Sequence, residues 1–209
     1  MANILCIVAH PDDEIVGMGG TILRYIEEGN EVTTVIFSYG QKSHPHLKEK
    51  IITKTRVGET KRLDMLLKRK SMFLGLTEGK IKEESEKLDI AKKLAKLIKK
   101  YKPKKIFTHA RKDPHPDHRA VNQIVEKVVE ETKYKGDLLT FEVWNITEEN
   151  LPKTYVDVTP FFKQKLELMK IYESQRHFLY ILLLPIILRA WMYGRKNRCK
   201  YAERFYKIK

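Results

Sequence analysis

The chain has 209 residues, 42% hydrophobic and 33% charged, which fits one folded domain with a real core and excludes a disordered polymer. Lysine and arginine number 41 against 27 acidic residues, a net charge of +14. That excess reads either as a solvated lysine-rich surface or as attraction to an anionic partner. With no zinc finger, RNA-recognition signature or basic-aromatic platform, nucleic acid is not the expected partner.

Asn3–Ala9 (NILCIVA) is a short apolar run of the kind that forms a buried parallel strand, with Cys6 as a small buried hydrophobe. The start carries no basic segment ahead of it, so no signal peptide is expected. Glu14–Glu28 reads as a helix, with Ile15, Met18, Ile22, Leu23 and Ile26 at helical spacing and Gly29-Asn30 ending it. Glu31–Phe37 is β-branched and strand-like, Lys48–Lys68 an amphipathic helix, and Ser71–Leu74 a short strand. Glu84–Tyr101 reads as one long lysine-rich helix stopped by Pro103. Then come a strand at Lys105–His109, a helix at Asp117–Thr132, a strand at Leu138–Trp144, a helix at Pro160–Tyr172 and a last strand near Glu203–Lys207. The alternation predicts a single α/β Rossmann-like three-layer domain, residues 1–209, with a mainly parallel sheet and the active site at the strands' carboxyl ends. Phe178–Leu188 is the longest apolar stretch. It is too short to span a bilayer and contains Pro185, and no run reaches 18 apolar residues. Cys6 and Cys199 form neither a zinc pattern nor a disulfide framework, which points to the cytoplasm.

Two motifs carry chemistry. Ala9-His10-Pro11-Asp12-Asp13-Glu14 follows the first strand and opens a helix. Its imidazole and hard oxygens suit Zn²⁺ or a similar divalent ion: His10 and Asp13 can converge across a turn, leaving Asp12 free for proton transfer. An ordinary helix start with an aspartate cap explains the same residues. His115-Pro116-Asp117-His118 follows the Lys105–His109 strand and opens another helix; Asp117 can anchor an imidazole N–H. Two such loops at strand-to-helix switches weigh more than either alone. Two histidines and one carboxylate leave open positions, as catalytic zinc requires.

On these residues the sequence resembles the PIG-L/LmbE family of N-acetylglucosaminyl deacetylases, which carries AHPDDE and HPDH, here at 9–14 and 115–118. Supporting matches are Arg56 with Glu59, Phe73–Leu76 before Gly79, Tyr172–Gln175, and Tyr201–Phe205. The resemblance implies His10, Asp13 and His118 as ligands of one Zn²⁺ per chain, with Fe²⁺ or Co²⁺ fitting the same donors. It implies Asp12 as general base and His115 as the protonated group at the oxyanion or leaving amine. Asp117 would orient His115 or His118, and Arg56 would grip the sugar or a phosphate. Gln175 would reach the site. Asp113 stands where some members carry an oxyanion-binding tyrosine, and faces substrate or orients a histidine. The implied reaction removes acetyl from an N-acetylglucosamine-containing sugar. Alternatives are an amidase on another small N-acyl compound, or a non-catalytic module for anionic glycolipid.

Gly17, Gly19 and Gly20 fit close helix–sheet packing better than a dinucleotide loop. His44-Pro45-His46 reads as a solvated loop, His109 as a residue near the metal, and His177 as surface or lid. The segment 178–192 reads as a buried helix hairpin or a homo-oligomer interface. Alternatively, with the basic tail to residue 209, it contacts an anionic membrane surface.

Overall fold

The structure is a computed structural model and describes residues 1–43 and 46–209. Its strands are β1 (Asn3–Val8), β2 (Glu31–Ser38), β3 (Lys70–Leu76), β4 (Lys105–His109), β5 (Asp137–Phe141), β6 (Lys153–Asp157) and β7 (Ala202–Lys207). They form one sheet in the order β3-β2-β1-β4-β5-β7-β6. β1 to β5 pair in parallel, and β7 runs antiparallel to β5 and β6. The helices are α1 (Asp13–Glu27), α2 (Glu49–Leu67), α3 (Ile81–Lys87), α4 (Ile90–Tyr101), α5 (Pro116–Glu131), α6 (Phe162–Met169) and α7 (Arg176–Lys196). The expected α/β architecture is present.

Alternation within β1 explains the layers. Ile4, Cys6 and Val8 face a core shared with α1 and α6, and Leu5, Ile7 and Ala9 face one shared with α4 and α5. A strand buried on both faces must read as a continuous apolar run. Cys6 is fully buried, and burial pushes its thiol up to about 12, so it packs as a hydrophobe. The chain order reverses between β1 and β4, which makes the crevice at their carboxyl ends the switch point where such sheets hold ligands. Both His-Pro-Asp loops open into it.

Several boundaries differ from expectation. The helix expected over 84–101 is two: the chain breaks at Leu88–Asp89, with Asp89 left-handed (φ 49°), and the bend buries both Ile81 and Ile90. β5 ends at Phe141, so Val143 and Trp144 lie beyond it. Pro160 sits in a short 3₁₀ turn ahead of α6. β6 escaped the reading because its polar sequence, KTYVD, lacks apolar alternation; as an edge strand it needs only β7 as partner. The expected hairpin over 178–192 is instead one continuous 21-residue helix, α7, with Pro185 inside it. The stretch Glu173–Lys196 is long and apolar enough to cross a membrane by length and composition, with a third of its most apolar window buried against the protein.

The glycines of α1 are close-approach positions. A Cβ on Gly17 would lie 2.3 Å from the Phe141 ring, and one on Gly20 2.7 Å from Cβ of Val158. Gly20→Ala is expected to destabilise the fold by about 1–3 kcal/mol through overpacking. Urea denaturation of the two proteins checks this, and unchanged stability would contradict the packing.

Candidate metal centre and active site

His10 leaves β1 as the sheet ends, and Asp13 opens α1 one turn later. Asp13 Oδ2 accepts the His10 backbone N–H at 2.7 Å, closing the loop into a fixed turn. The carboxylate then faces three imidazoles. His10 Nδ1 lies 3.5 Å from Oδ2, His109 Nε2 3.4 Å from Oδ2, and His118 Nε2 3.3 Å from Oδ1. All four side chains are buried.

The outer nitrogens of two of these rings meet carboxylates as well. His10 Nε2 pairs with Asp117 Oδ2 at 3.1 Å, and His118 Nδ1 faces Asp113 Oδ1 at 3.0 Å. Asp117 is itself held by the Gly79 N–H at 2.8 Å, and Asp113 by the His115 N–H at 2.9 Å. This is how metal-binding histidines are oriented: one nitrogen inward, the other on a carboxylate. Donor atoms of His10, Asp13 and His118 lie within 4.8 Å of one another. The groups His10–His115–Asp117 and His109–Asp113–His118 meet the same spacing. Asp117 and Asp113 each face the far nitrogen of one ring, whereas Asp13 faces three imidazole nitrogens; the His10–Asp13–His118 group joins imidazole and carboxylate donors of the kind that suit a borderline divalent ion.

Charge follows from this geometry. Burial alone would lower both imidazoles, but Asp117 and Asp13 raise His10 to about 9, and Asp13 and Asp113 raise His118 to about 10. Against its burial, Asp13 is held well below the usual carboxylate range by His118 and His10. His109 is pushed down to about 4 by burial and by the His118 charge. It stays neutral, accepting the Ala9 N–H on Nε2 at 2.9 Å and stacking on His118 with ring centroids 4.0 Å apart. His109 is thus a packing partner beneath the ligand cluster.

Asp12 differs. Its backbone adopts φ 101°, ψ −30°, a conformation disfavoured for any L residue. Its carbonyl, not its side chain, accepts the first amides of α1, from Ile15 and Val16. The carboxylate turns into the cleft and pairs with Arg56 Nη2 at 3.0 Å. Burial pushes Asp12 up to about 7, with Arg56 pulling the other way. Arg56, on α2, is 3% exposed and also donates to the carbonyls of Pro11 and Gly40. The structure therefore engages Arg56 with protein groups rather than leaving it free to grip a sugar. One turn along α2, Glu59 accepts the N–H and hydroxyl of Ser174, which sets Gln175 at the cleft edge, where its amide donates to Ser43 Oγ at 3.1 Å.

His10, Asp12, Asp13, Arg56, His115, His118 and Gln175 share one cleft of about 420 Å³. Asp113 is absent from its lining: it sits 1% exposed behind His118, so the substrate-facing expectation gives way to the orienting one. Asp117 orients His10 rather than His115 or His118; its backbone N–H donates to His115 Nδ1 at 3.2 Å. Burial and the neighbouring His10 and His118 hold His115 below its ordinary value. With Nδ1 accepting, the His115 proton lies on Nε2. His46 and His177 are exposed; His44 and Pro45 lie outside the described residues.

The sequence reading missed the opposite wall: Val143 and Trp144 after β5, and Phe178, Leu179, Ile181 and Leu182 of α7. No motif marks them; their apolar character alone could have drawn attention. Glu14, last residue of AHPDDE, is also not a ligand. It forms a fully buried ion pair with Arg69 at 2.6 Å and anchors the first turn of α1.

A divalent ion must displace the protons on His10 and His118, so its affinity is expected to rise from about pH 6 to pH 9, with about two protons released per ion near neutral pH. Titration calorimetry in buffers of different ionisation enthalpy reads this directly, and pH-independent affinity would contradict the site. Asp113→Asn is expected to weaken binding roughly 10- to 100-fold.

The profile of a known family, PIG-L: GlcNAc-PI de-N-acetylase, matches residues 5–129. The diacetylchitobiose deacetylase of Thermococcus kodakarensis is 25% identical over 96% of this chain and 81% of its own length. A shorter match, 51% identical over 40 residues, is to the 1D-myo-inositol 2-acetamido-2-deoxy-alpha-D-glucopyranoside deacetylase of Tsukamurella paurometabola; it covers 19% of this chain and 14% of that protein. Among solved structures, the N,N'-diacetylchitobiose deacetylase from Pyrococcus horikoshii superposes with a TM-score of 0.83 at 24% identity, covering 99% of this chain and 84% of that one. The matched span of 5–129 contains both His-Pro-Asp loops and every proposed ligand, and by it this chain belongs to the PIG-L family of de-N-acetylases.

Proposed function

We propose that residues 1–209 act as one deacetylase domain that hydrolyses the acetamide of an N-acetylglucosamine-containing sugar, with one Zn²⁺ held by His10, Asp13 and His118. The observation that carries the reading is the position of Asp12. It is a buried carboxylate on a strained backbone, fixed by Arg56, in the same cleft as three convergent metal donors. Pure metal binding needs no such group.

When bound, the ion supplies Lewis acidity, polarising a carbonyl and making water acidic. The protein's own groups do the rest. Asp12 accepts the proton of the attacking water; a carboxylate raised by burial towards 7 is matched to that task near neutral pH, and the nearby cation, like Arg56, draws it down. His115 presents a neutral Nε2–H to the carbonyl oxygen as charge develops there, a donor worth on the order of 3 kcal/mol. As the C–N bond breaks, the proton taken up by Asp12 passes to the departing amine and the acyl group leaves as acetate; Arg56 positions Asp12 and takes no part in proton transfer. Ser43, Glu78 and Gln175 supply polar groups at the cleft edge, placed to meet sugar hydroxyls. The apolar wall opposite favours a second reading within the same chemistry, another N-acyl compound whose remaining part is apolar. The free thiols Cys6 and Cys199 accord with a reducing, cytoplasmic setting.

The test is amine release from N-acetylglucosamine and a panel of its glycosides, with metal-stripped protein beside protein reloaded with Zn²⁺, Fe²⁺ or Co²⁺. Release should require metal. Asp12→Asn should lower kcat about 10²- to 10⁴-fold while binding one ion as tightly as wild type. An Asp12→Asn protein of near-normal rate would remove Asp12 from the mechanism.

A further inference from the structure

Helix α7 has two faces. At about 100° per residue, Ile181, Leu184, Leu188, Trp191 and Met192 fall on one side, all more than two-fifths exposed, and Ile186, Arg189, Ala190 and Tyr193 fall on the other, all buried. The buried side is tied to the domain. Arg189 donates to the carbonyls of Val143 and Asn145, and the Tyr193 hydroxyl donates to Glu142 at 2.7 Å. Crossing a bilayer would break these bonds and strip that face from the core, so a helix long enough to span is fixed lengthwise on the protein surface.

Charge marks what covers the open face. It is bounded by cations, Arg176 at the start and Arg195, Lys196, Arg198 and Lys200 at the end, with no acidic residue from Arg176 to Lys200. The Arg176 guanidinium lies 5.4 Å from the Tyr180 ring centroid and that of Arg195 5.6 Å from Trp191, which sets aromatic rings beside cations at both ends. A second copy packed face to face would bring these like charges together in a chain already at +14. An anionic lipid surface accepts both features: acyl chains take the apolar stripe, and headgroups take the cations.

We propose that the outer face of α7 docks this protein, helix parallel to the surface, on an anionic membrane. Ile181 belongs to both this face and the cleft wall, so docking places the cleft mouth at the lipid surface. The inference stands whichever amide is cut.

The test uses the full chain with vesicles of phosphatidylcholine alone or mixed equally with phosphatidylglycerol. Wild type should float with the anionic vesicles and not the neutral ones. The pair Leu184→Glu and Leu188→Glu should lower binding about tenfold or more, and Arg195→Glu with Lys196→Glu should lower it as added salt does. Thermal melts of each variant establish that it folds. In a Trp144→Phe background, Trp191 fluorescence should be quenched by brominated acyl chains. Failure to float, flotation indifferent to the leucine pair, or a wild-type dimer that the leucine pair dissociates without vesicle binding would each overturn the proposal.

Discussion

Asp13 is the residue on which the site depends. One buried carboxylate faces nitrogens of His10, His109 and His118 within 3.5 Å and binds the His10 backbone amide. Buried charge is tolerated only where it is paired and hydrogen-bonded. Here the pairing reaches outward in layers: Asp13 holds the rings, and Asp113 and Asp117 hold the far nitrogens of His118 and His10. Protons on the two raised histidines offset part of the charge of the three carboxylates; in the proposed function a divalent ion would take the place of those protons within the same geometry.

The sheet makes this cluster possible. β1 and β4 are hydrogen-bonded neighbours, and each ends in a loop that turns directly into a helix. Residues more than a hundred positions apart are therefore brought to one crevice by pairing of two short strands. The second HPD loop reaches further: Gly79, after β3, donates to Asp117. Strain is concentrated at Asp12, whose backbone turn frees its carboxylate from the capping role that an aspartate at a helix start ordinarily takes. Glu14 and Arg69, fully buried, anchor the turn that follows.

Helix α7 joins this site to the outside of the molecule. Its inner residues pack on β7 and hold the strand-end segment after β5, its first turns wall the cleft, and its outer face is apolar with cationic ends. One element thus sets both the polarity of the cleft's far wall and the character of the surface around its mouth.

Much was legible in the sequence for identifiable reasons. The AHPDDE and HPDH motifs are local, and metal ligation demands those residue types at those spacings. Strands buried on both faces must be continuously apolar, so β1, β2 and β4 stood out, as did the parallel α/β class. What the sequence could not decide was set by partners distant along the chain. Arg56 is spoken for by Asp12, Pro11 and Gly40, Asp113 lies behind His118, and Asp117 reaches His10. The edge strand β6 exists because β7 pairs with it, and the α3–α4 bend because two isoleucines seek one core. The 178–192 segment shows the limit most plainly: its composition is apolar all round, and only packing against β7 and the residues after β5 decided which side is core and which faces outward, because burial belongs to neighbours and not to the residues themselves.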